Sequence, residues 1–301
     1  MMAKRSESMA EGRIVKALSG FYYVKSNNMI YSCKGRGVFR NRKITPLVGD
    51  FVEFEESNPG EGYIMEIKER TNELVRPPIA NIDQAIIVSS AASPDFSTLL
   101  LDRFLVLIES KEIEPVIFIT KIDLVSAEAR HDIEAYQAIY KKIGYAVELI
   151  SSKQQDLLPE LKHYFRNKVS VFAGQSGVGK STLLNVLKPS LLLKTAEISK
   201  SLGRGKHTTR HVELMQVNGG LVADTPGFSV LDFNEIKAES LSDCFPEMRE
   251  IQEYCKFRGC MHYKEPKCAV KEAVETNDIA RFRYDHYLSF LEEIQSRKPR
   301  Y

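Results

Sequence analysis

The stretch VSVFAGQSGVGKSTLLNVLK, residues 169–188, decides the fold. Val169 to Ala173 is a short, mostly apolar run. Gly174-Gln175-Ser176-Gly177-Val178-Gly179-Lys180-Ser181 fits G-x-x-x-x-G-K-[ST], and Thr182 opens a helical pattern with Leu183, Leu184 and Leu187 on one face. Strand, glycine loop and helix in this order are what phosphate binding requires. The glycines let successive backbone N–H groups curl round phosphate oxygens, and the helix N-terminus adds its dipole. Lys180 then reaches the β- and γ-phosphates, and the Ser181 hydroxyl takes one position on Mg2+. A glycine-rich turn that binds nothing would not need the flanking strand and helix.

At 301 residues the chain is long enough for two or three domains, each with its own core. With 43% hydrophobic and 27% charged residues it has an ordinary soluble composition, and a net charge of +2 names no partner. No apolar run approaches the roughly 18 residues of a membrane span, and MMAKRSESMA lacks a signal peptide's apolar core, so a cytoplasmic protein is expected. Met1 to Ser8 reads as detached from the first strand, which begins at Glu11-Gly12-Arg13-Ile14. Five cysteines, three of them between 255 and 268, suit a metal site better than disulfides in a reducing compartment.

Five short β runs from Gly12 to Leu74 (RIVKAL, FYYVKS, MIYSCK, DFVEFEE, GYIMEIKE) predict a small closed barrel of the OB type, with an SH3-like barrel as its competitor. Lys34, Arg36, Arg40, Arg42 and Lys43, with Phe39 among them and Tyr31 just before, suggest an RNA- or DNA-binding face. A solvated basic hairpin has the same pattern. Arg76-Pro77-Pro78 reads as a linker.

Beyond it, QAIIVSS (84–90), a Leu-rich helix from Ser97 to Lys111, PVIFIT (115–120), a helix from Ser126 to Ile143 and AVELI (146–150) give the βαβ rhythm of a parallel sheet covered on both faces. Leu99, Leu100, Phe104, Leu107 and Ile108 are expected in the core. The second of these strands ends in Thr120-Lys121-Ile122-Asp123, one residue from N-K-x-D, the base-reading motif of GTPases. The Asp123 carboxylate can accept from both N1–H and the 2-amino group of guanine, which adenine cannot offer. Two such hydrogen bonds discriminate strongly. Thr120 departs from the motif's asparagine, whose amide braces the phosphate loop and the base. Ser151-Ser152-Lys153 follows the next strand, where a loop over the base belongs.

After the phosphate loop, KTAEISKSLGRGKHTTRH (194–211) is a polar, basic loop containing Thr208 and Thr209. Thr209 fits the switch-I role of completing Mg2+ coordination while the γ-phosphate is present. Strands over 212–217 and 220–224 lead to Asp224-Thr225-Pro226-Gly227. Asp224 would hold magnesium through water, and the Gly227 N–H would sense the γ-phosphate. Phe228 stands where Ras-like enzymes place the glutamine that orients water, so intrinsic hydrolysis should be slow and wait for a supplied group. His207 is the in-cis candidate; a loop histidine that is merely solvated or lies on RNA phosphates is the alternative.

Cys255, Cys260, His262 and Cys268 form C-x4-C-x-H-x5-C. Zinc prefers tetrahedral N/S sets, and four protein ligands leave no open position, so a structural zinc is expected. Chance clustering or a redox pair is the competing reading. Cys33 and Cys244 read as ordinary small side chains. Helices are expected near 240–252, 268–274 and 278–296, with Lys256, Arg258, Lys264 and Lys267 interleaved among the ligands. From residue 231 onward there are 12 basic and 14 acidic residues, so only one face can be positive.

The motifs run TKID, SSK, GQSGVGKS, TT, DTPG, whereas an ordinary GTPase runs phosphate loop, switch I, switch II, base motif, base loop. A pocket depends on where loops meet rather than on chain order, so the termini can be relocated. In these motifs, with a barrel before and a Cys/His cluster after, the chain from about residue 11 resembles the circularly permuted, ribosome small-subunit-dependent GTPase family (RsgA). The resemblance implies an α/β, circularly permuted P-loop GTPase domain flanked by an N-terminal OB-type barrel and a C-terminal helical zinc domain. It further implies a GTP-hydrolysing late assembly or checkpoint factor of the 30S subunit, contacting ribosomal RNA through its flanking domains. The expected division is 1–74, 75–229 and 230–301, as a monomer. Because switch II ends the nucleotide domain, γ-phosphate loss is expected to move the C-terminal domain. Two rivals remain: a nucleic-acid-binding regulator using GTP only as a structural switch ligand, and an ATP-driven RNA remodelling enzyme.

Overall fold

The computed structural model describes residues 9–42, 44–151, 161–188, 212–223 and 231–297. They form two compact units. One holds the described residues of Met1–Gln84, Asp156–Phe172 and Lys180–Phe228, the other those of Ala85–Gln155, Ala173–Gly179 and Ser229–Tyr301.

In the first unit, period-2 alternation turns Ile14, Val24, Cys33, Val52, Phe54 and Ile64 inward, where they are fully buried. Burial of each of these Val, Ile and Phe side chains contributes about 1.5–3 kcal/mol. Strands β1 (Met9–Leu18), β2 (Phe21–Ser26), β3 (Met29–Gly35), β4 (Phe51–Asn58) and β5 (Glu61–Ile67) close a barrel in the order β1-β2-β3-β5-β4. β3 and β5 are parallel, and β4 returns antiparallel to β1, as in an OB fold. β1 starts at Met9, two residues before the expected start, because Met9 and Ala10 pair with Glu55 and Phe54.

The basic segment after β3 contains a short helix, α1 (Gly37–Asn41), and Phe39 is 8% exposed. The expectation that Phe39 contributes to a nucleic-acid face is therefore corrected: the ring is core. Tyr31 packs its ring 4.8 Å from that of Phe54. Arg76-Pro77-Pro78 is likewise more than a linker. It sits in an antiparallel ribbon of β6 (Glu73–Val75) and β7 (Pro78–Ala80). Asn72 and Ile82 exchange hydrogen bonds of 2.9 Å, and Asn81 Nδ2 donates to Gly49 O, fastening the ribbon to the barrel.

The same unit carries β11 (Val169–Ala173), except its last residue, with β12 (Leu214–Val217) and β13 (Gly220–Ala223) in the order β11-β13-β12. The helix α4 (Lys180–Leu187) buries Leu183 and Leu187. Lys16 on β1 bridges and ion-pairs with Glu213 at 2.8 Å.

In the second unit, β8 (Gln84–Ser90, of which Gln84 falls in the first unit) and β9 (Glu114–Thr120) are almost wholly buried. β10 (Ala146–Leu149) pairs parallel with β9, and the order is β10-β9-β8. Two helices cover them. α2 (Thr98–Glu109) is capped by Ser97 Oγ accepting from Leu100 N; α3 (Ala127–Ile143) is capped by Ser126 and stopped by Gly144 at φ 111°. The helical period phases Leu101, Phe104, Leu105, Val106 and Ile108 inward and leaves Leu99 43% exposed, against expectation.

The chain's last helices are α5 (Pro246–Ile251), α6 (Ala269–Glu275) and α7 (Arg281–Gln295). They bury Phe233, Leu241, Phe245, Met248, Val270, Tyr287 and Phe290 together with Val106 of α2. Charges also lie inside this region. Asp102 on α2 accepts from Tyr140 Oη and Arg283 Nη1, each at 2.6 Å, and lies 2.5 Å from His286 Nδ1. Arg283, fully buried, also donates from Nε to Glu247 at 2.6 Å.

Candidate nucleotide site and metal centre

β11 ends in the glycine loop. Gly174 has φ +132°, and a Cβ there would lie 2.2 Å from Val88 O, so no other residue fits. Val178 is 2% exposed and anchors the loop from below. Two side chains from the end of β9 hold it. Thr120 Oγ1 donates to Val178 O at 2.6 Å and lies 3.2 Å from Ser89 O. Lys121, in the left-handed region at φ 60°, donates from Nζ to Gly177 O at 2.8 Å and to Ser93 O at 2.5 Å.

The TKID turn and the residues before the SSK triplet also meet. Ile122 N donates to Ile150 O at 3.3 Å, and Ile150 N donates to Ile119 O at 2.7 Å. Ser151 is buried, and Asp123 is half-buried on the 3-10 turn Ile122–Leu124. Gln175, Ser176 and Gly177 are exposed at the loop's crest, and Ser181 and Thr182 are exposed in the first turn of α4. Lys180 is half-buried, and desolvation holds its ammonium below the usual lysine range. A bound polyphosphate would offset that penalty through its opposite charge. Ser152, Lys153, His207, Thr208, Thr209, Asp224, Gly227 and Phe228 lie outside the described residues.

The metal cluster is assembled. The donor atoms of Cys255, Cys260, His262 and Cys268 all lie within 4.8 Å of one another. A tetrahedral zinc with ordinary bond lengths separates sulfurs by about 3.8 Å and sulfur from nitrogen by about 3.6 Å. The Cys255–Cys268 sulfurs are 3.8 Å apart, and His262 Nδ1 is 3.6 Å from Cys255 Sγ and 3.3 Å from Cys268 Sγ. The residues therefore fit zinc, with Nδ1 as the ligating nitrogen. Burial pushes the Cys260 thiol up to about 12 and lowers His262, so a dication is what would strip the thiols of their protons.

The ligand loop is clamped by residues that the spacing did not reveal. Tyr287 Oη donates to Met261 O and Tyr284 Oη to His262 O, each at 2.6 Å. The Glu265 carboxylate accepts from Met261 N at 3.1 Å and Tyr263 N at 2.9 Å. His262 sits between them at φ 54°.

Exposed aromatic rings with cations over them occur in both flanking regions. Arg13 covers Phe51 at 4.1 Å and Lys34 covers Phe21 at 5.1 Å on the barrel. Lys264 covers Tyr263 at 4.9 Å and Lys256 covers Phe257 at 5.6 Å beside the metal ligands. Arg258 and Lys267 are exposed there as well. Thus Phe21 and Phe51 supply the exposed aromatic surface on the barrel that Phe39 does not.

The RsgA GTPase family model matches residues 67–234, and the RsgA N-terminal domain model matches residues 11–64. Over 97% of its length the chain is 75% identical to a protein of Oceanobacillus iheyensis named small ribosomal subunit biogenesis GTPase RsgA 2, covering 100% of it. It is 59% identical, with the same coverage, to the small ribosomal subunit biogenesis GTPase RsgA of Bacillus subtilis. Among solved structures it is similar to YloQ, a circularly permuted GTPase, at 53% identity and TM-score 0.85 over 100% of both chains. It is also similar to YjeQ from Thermotoga maritima, at 36% identity and TM-score 0.86 over 97% of this chain and 100% of that one. A barrel, a phosphate loop braced by a base motif that precedes it in sequence, and these full-length likenesses agree: the chain belongs to the RsgA GTPase family.

Proposed function

We propose that this chain hydrolyses GTP to GDP and phosphate and serves small ribosomal subunit biogenesis, as a late assembly or checkpoint factor stimulated by the 30S subunit. The observation that carries the reading is the pair of braces from Thr120 and Lys121 onto the carbonyls of Val178 and Gly177. These braces join two of the motifs, TKID and the phosphate loop, and support a single nucleotide site assembled in permuted order.

In this reading Gly174 to Thr182 cradle the phosphates, with Lys180 on the β- and γ-oxygens. Asp123 reads guanine, and Lys121 with Ser151, Ser152 and Lys153 encloses it. Bound with the nucleotide, magnesium would neutralise charge on the β- and γ-oxygens. Ser181 and Thr209 would be its hydroxyl ligands, Asp224 would hold it through water, and the Gly227 N–H would sense the γ-phosphate. Phe228 cannot orient water, so turnover waits on the partner, with His207 as the in-cis contributor. Cys255, Cys260, His262 and Cys268 hold one structural zinc.

The chain works in three parts: an RNA-binding barrel over 1–74, the nucleotide domain over 75–229 and the zinc domain over 230–301, with the cation-covered aromatics meeting ribosomal RNA. It acts as a cytoplasmic monomer. No helix among the described residues is long and apolar enough to cross a membrane.

Phosphate release titrated against purified 30S and 50S subunits tests this. Stimulation of roughly tenfold or more by 30S alone is expected. No stimulation by either subunit would leave a nucleic-acid-binding regulator that holds GTP as a switch ligand. Preference for ATP would instead leave a remodelling enzyme. Asp123→Asn should shift preference toward xanthine nucleotides, whose ring offers an acceptor where guanine has its 2-amino donor.

A further inference from the structure

We infer that Thr120 is a positioning residue that spends its single donor on the phosphate loop, so that the chain recognises guanine without a hydrogen bond from residue 120 to the base's N7. This deepens the nucleotide reading above and rests on it. An asparagine amide carries two N–H groups, enough to brace a loop and still reach the base. A threonine hydroxyl carries one hydrogen.

Thr120 is 5% exposed, and its Oγ1 is 2.6 Å from Val178 O, the shorter of its two carbonyl contacts. That hydrogen is committed inside the protein. The hydroxyl also lies 3.6 Å from where a Cβ on Gly179 would be, directly beneath the residue that precedes Lys180. Thr120 therefore keeps the loop-bracing half of the asparagine's work. Guanine N7 is an acceptor and receives nothing from a committed hydroxyl.

The test compares binding of GTP, GDP and 7-deaza-GTP, in which N7 is replaced by C–H, to the full chain and to Thr120→Val and Thr120→Ser. The unsubstituted chain should bind GTP and 7-deaza-GTP within about twofold, because no partner at N7 is lost. Thr120→Val, which keeps the shape and removes the hydroxyl, leaves Val178 O without its donor. It should weaken all three nucleotides alike by roughly tenfold, and Thr120→Ser should restore most of that loss. A mere packing role would not separate valine from serine in this direction, since valine is the closer match in volume.

If 7-deaza-GTP binds about fivefold or more weakly than GTP and Thr120→Val closes that gap, the Thr120 hydroxyl reaches N7 and the inference is overturned. It is equally overturned if Thr120→Val binds as the unsubstituted chain does. If the unsubstituted chain binds no guanine nucleotide at all, the fault lies in the nucleotide reading itself.

Discussion

Around His262 the backbone is clamped on both of its polar sides, whereas the clamps described on the phosphate loop take carbonyls only. Tyr287 and Tyr284 donate to the carbonyls of Met261 and His262, and Glu265 accepts from the amides of Met261 and Tyr263. In the phosphate loop, Thr120 and Lys121 donate to the carbonyls of Val178 and Gly177, and neither engages a loop N–H. The difference follows from which atoms bind. A metal centre uses side chains as ligands, so both sides of its backbone can be committed to rigidity. A phosphate is bound by backbone N–H groups, so the bracing must come from the carbonyl side.

The largest effect is expected at the metal cluster. Cys268→Ser removes one of the four proposed zinc ligands and chelation removes the ion they would hold, and structural zinc in small domains supplies on the order of 10 kcal/mol. We expect loss of bound zinc by atomic absorption and separate, early melting of the C-terminal region by calorimetry, while GDP affinity stays within severalfold. Nucleotide affinity collapsing in step with the metal would show that the two loops do not stand independently.

Next in size is Arg283, which joins α7, the bearer of both clamping tyrosines, to Asp102 on α2. Desolvation opposes its charge most strongly of any one effect, but attraction to Asp102 and Glu247 and the hydrogen bond to Glu247 together outweigh it and hold its pKa well above the usual value. Arg283→Met leaves two carboxylates facing a buried site without their cation. Breaking such a pair costs about 3–5 kcal/mol, measurable by urea denaturation. A loss under about 1 kcal/mol would mean that water compensates both carboxylates. Smaller again is Tyr287→Phe, which strands Met261 O. A loss of about 1–3 kcal/mol is expected, together with faster zinc transfer to a chelator. An unchanged transfer rate would remove Tyr287 from the clamp.

The ligands in both loops were legible in the sequence, and so was the TKID brace on the phosphate loop; the clamps on the metal loop were not. Phosphate loops and Cys/His clusters fix residue types at short spacings, so Gly174 to Ser181 and Cys255 to Cys268 announce their chemistry locally. Tyr284 and Tyr287 reach back 22 and 26 residues, and Arg283 reaches back 181 residues to Asp102. A tyrosine on an amphipathic helix reads as core, and nothing nearby reveals what its hydroxyl meets. Phe39 failed for the converse reason. Its basic neighbours are polar whichever way the short helix α1 turns, so composition could not say that the ring points inward. Pro77 and Pro78 mark a break in the pattern, but the ribbon around them is fastened in part by Asn72 and Asn81, and single asparagines in turns carry no such signal.

The smallest expected effect sharpens the contrast by exposure alone, because the same two helices carry a second ion pair. Arg103 on α2 donates from Nη1 to Glu293 Oε1 of α7 at 3.1 Å and to Leu231 O at 3.0 Å, while its guanidinium lies 4.5 Å from the Phe233 ring centroid. The hydrogen bond from Arg103 holds the Glu293 carboxyl below its ordinary value. A carboxylate whose pKa is lower folded than unfolded contributes stability above the unfolded value of 4.5, and that contribution is lost as pH falls through the lowered value. The Glu293 side chain is 37% exposed, so solvent screening limits the pair to about 1 kcal/mol or less. Glu293→Gln should therefore lower the urea midpoint slightly at neutral pH, and the two proteins should converge in acid. A gap that persists unchanged at low pH would assign the difference to packing. If the gap at neutral pH matched that of Arg283→Met, burial would not be what separates the two pairs.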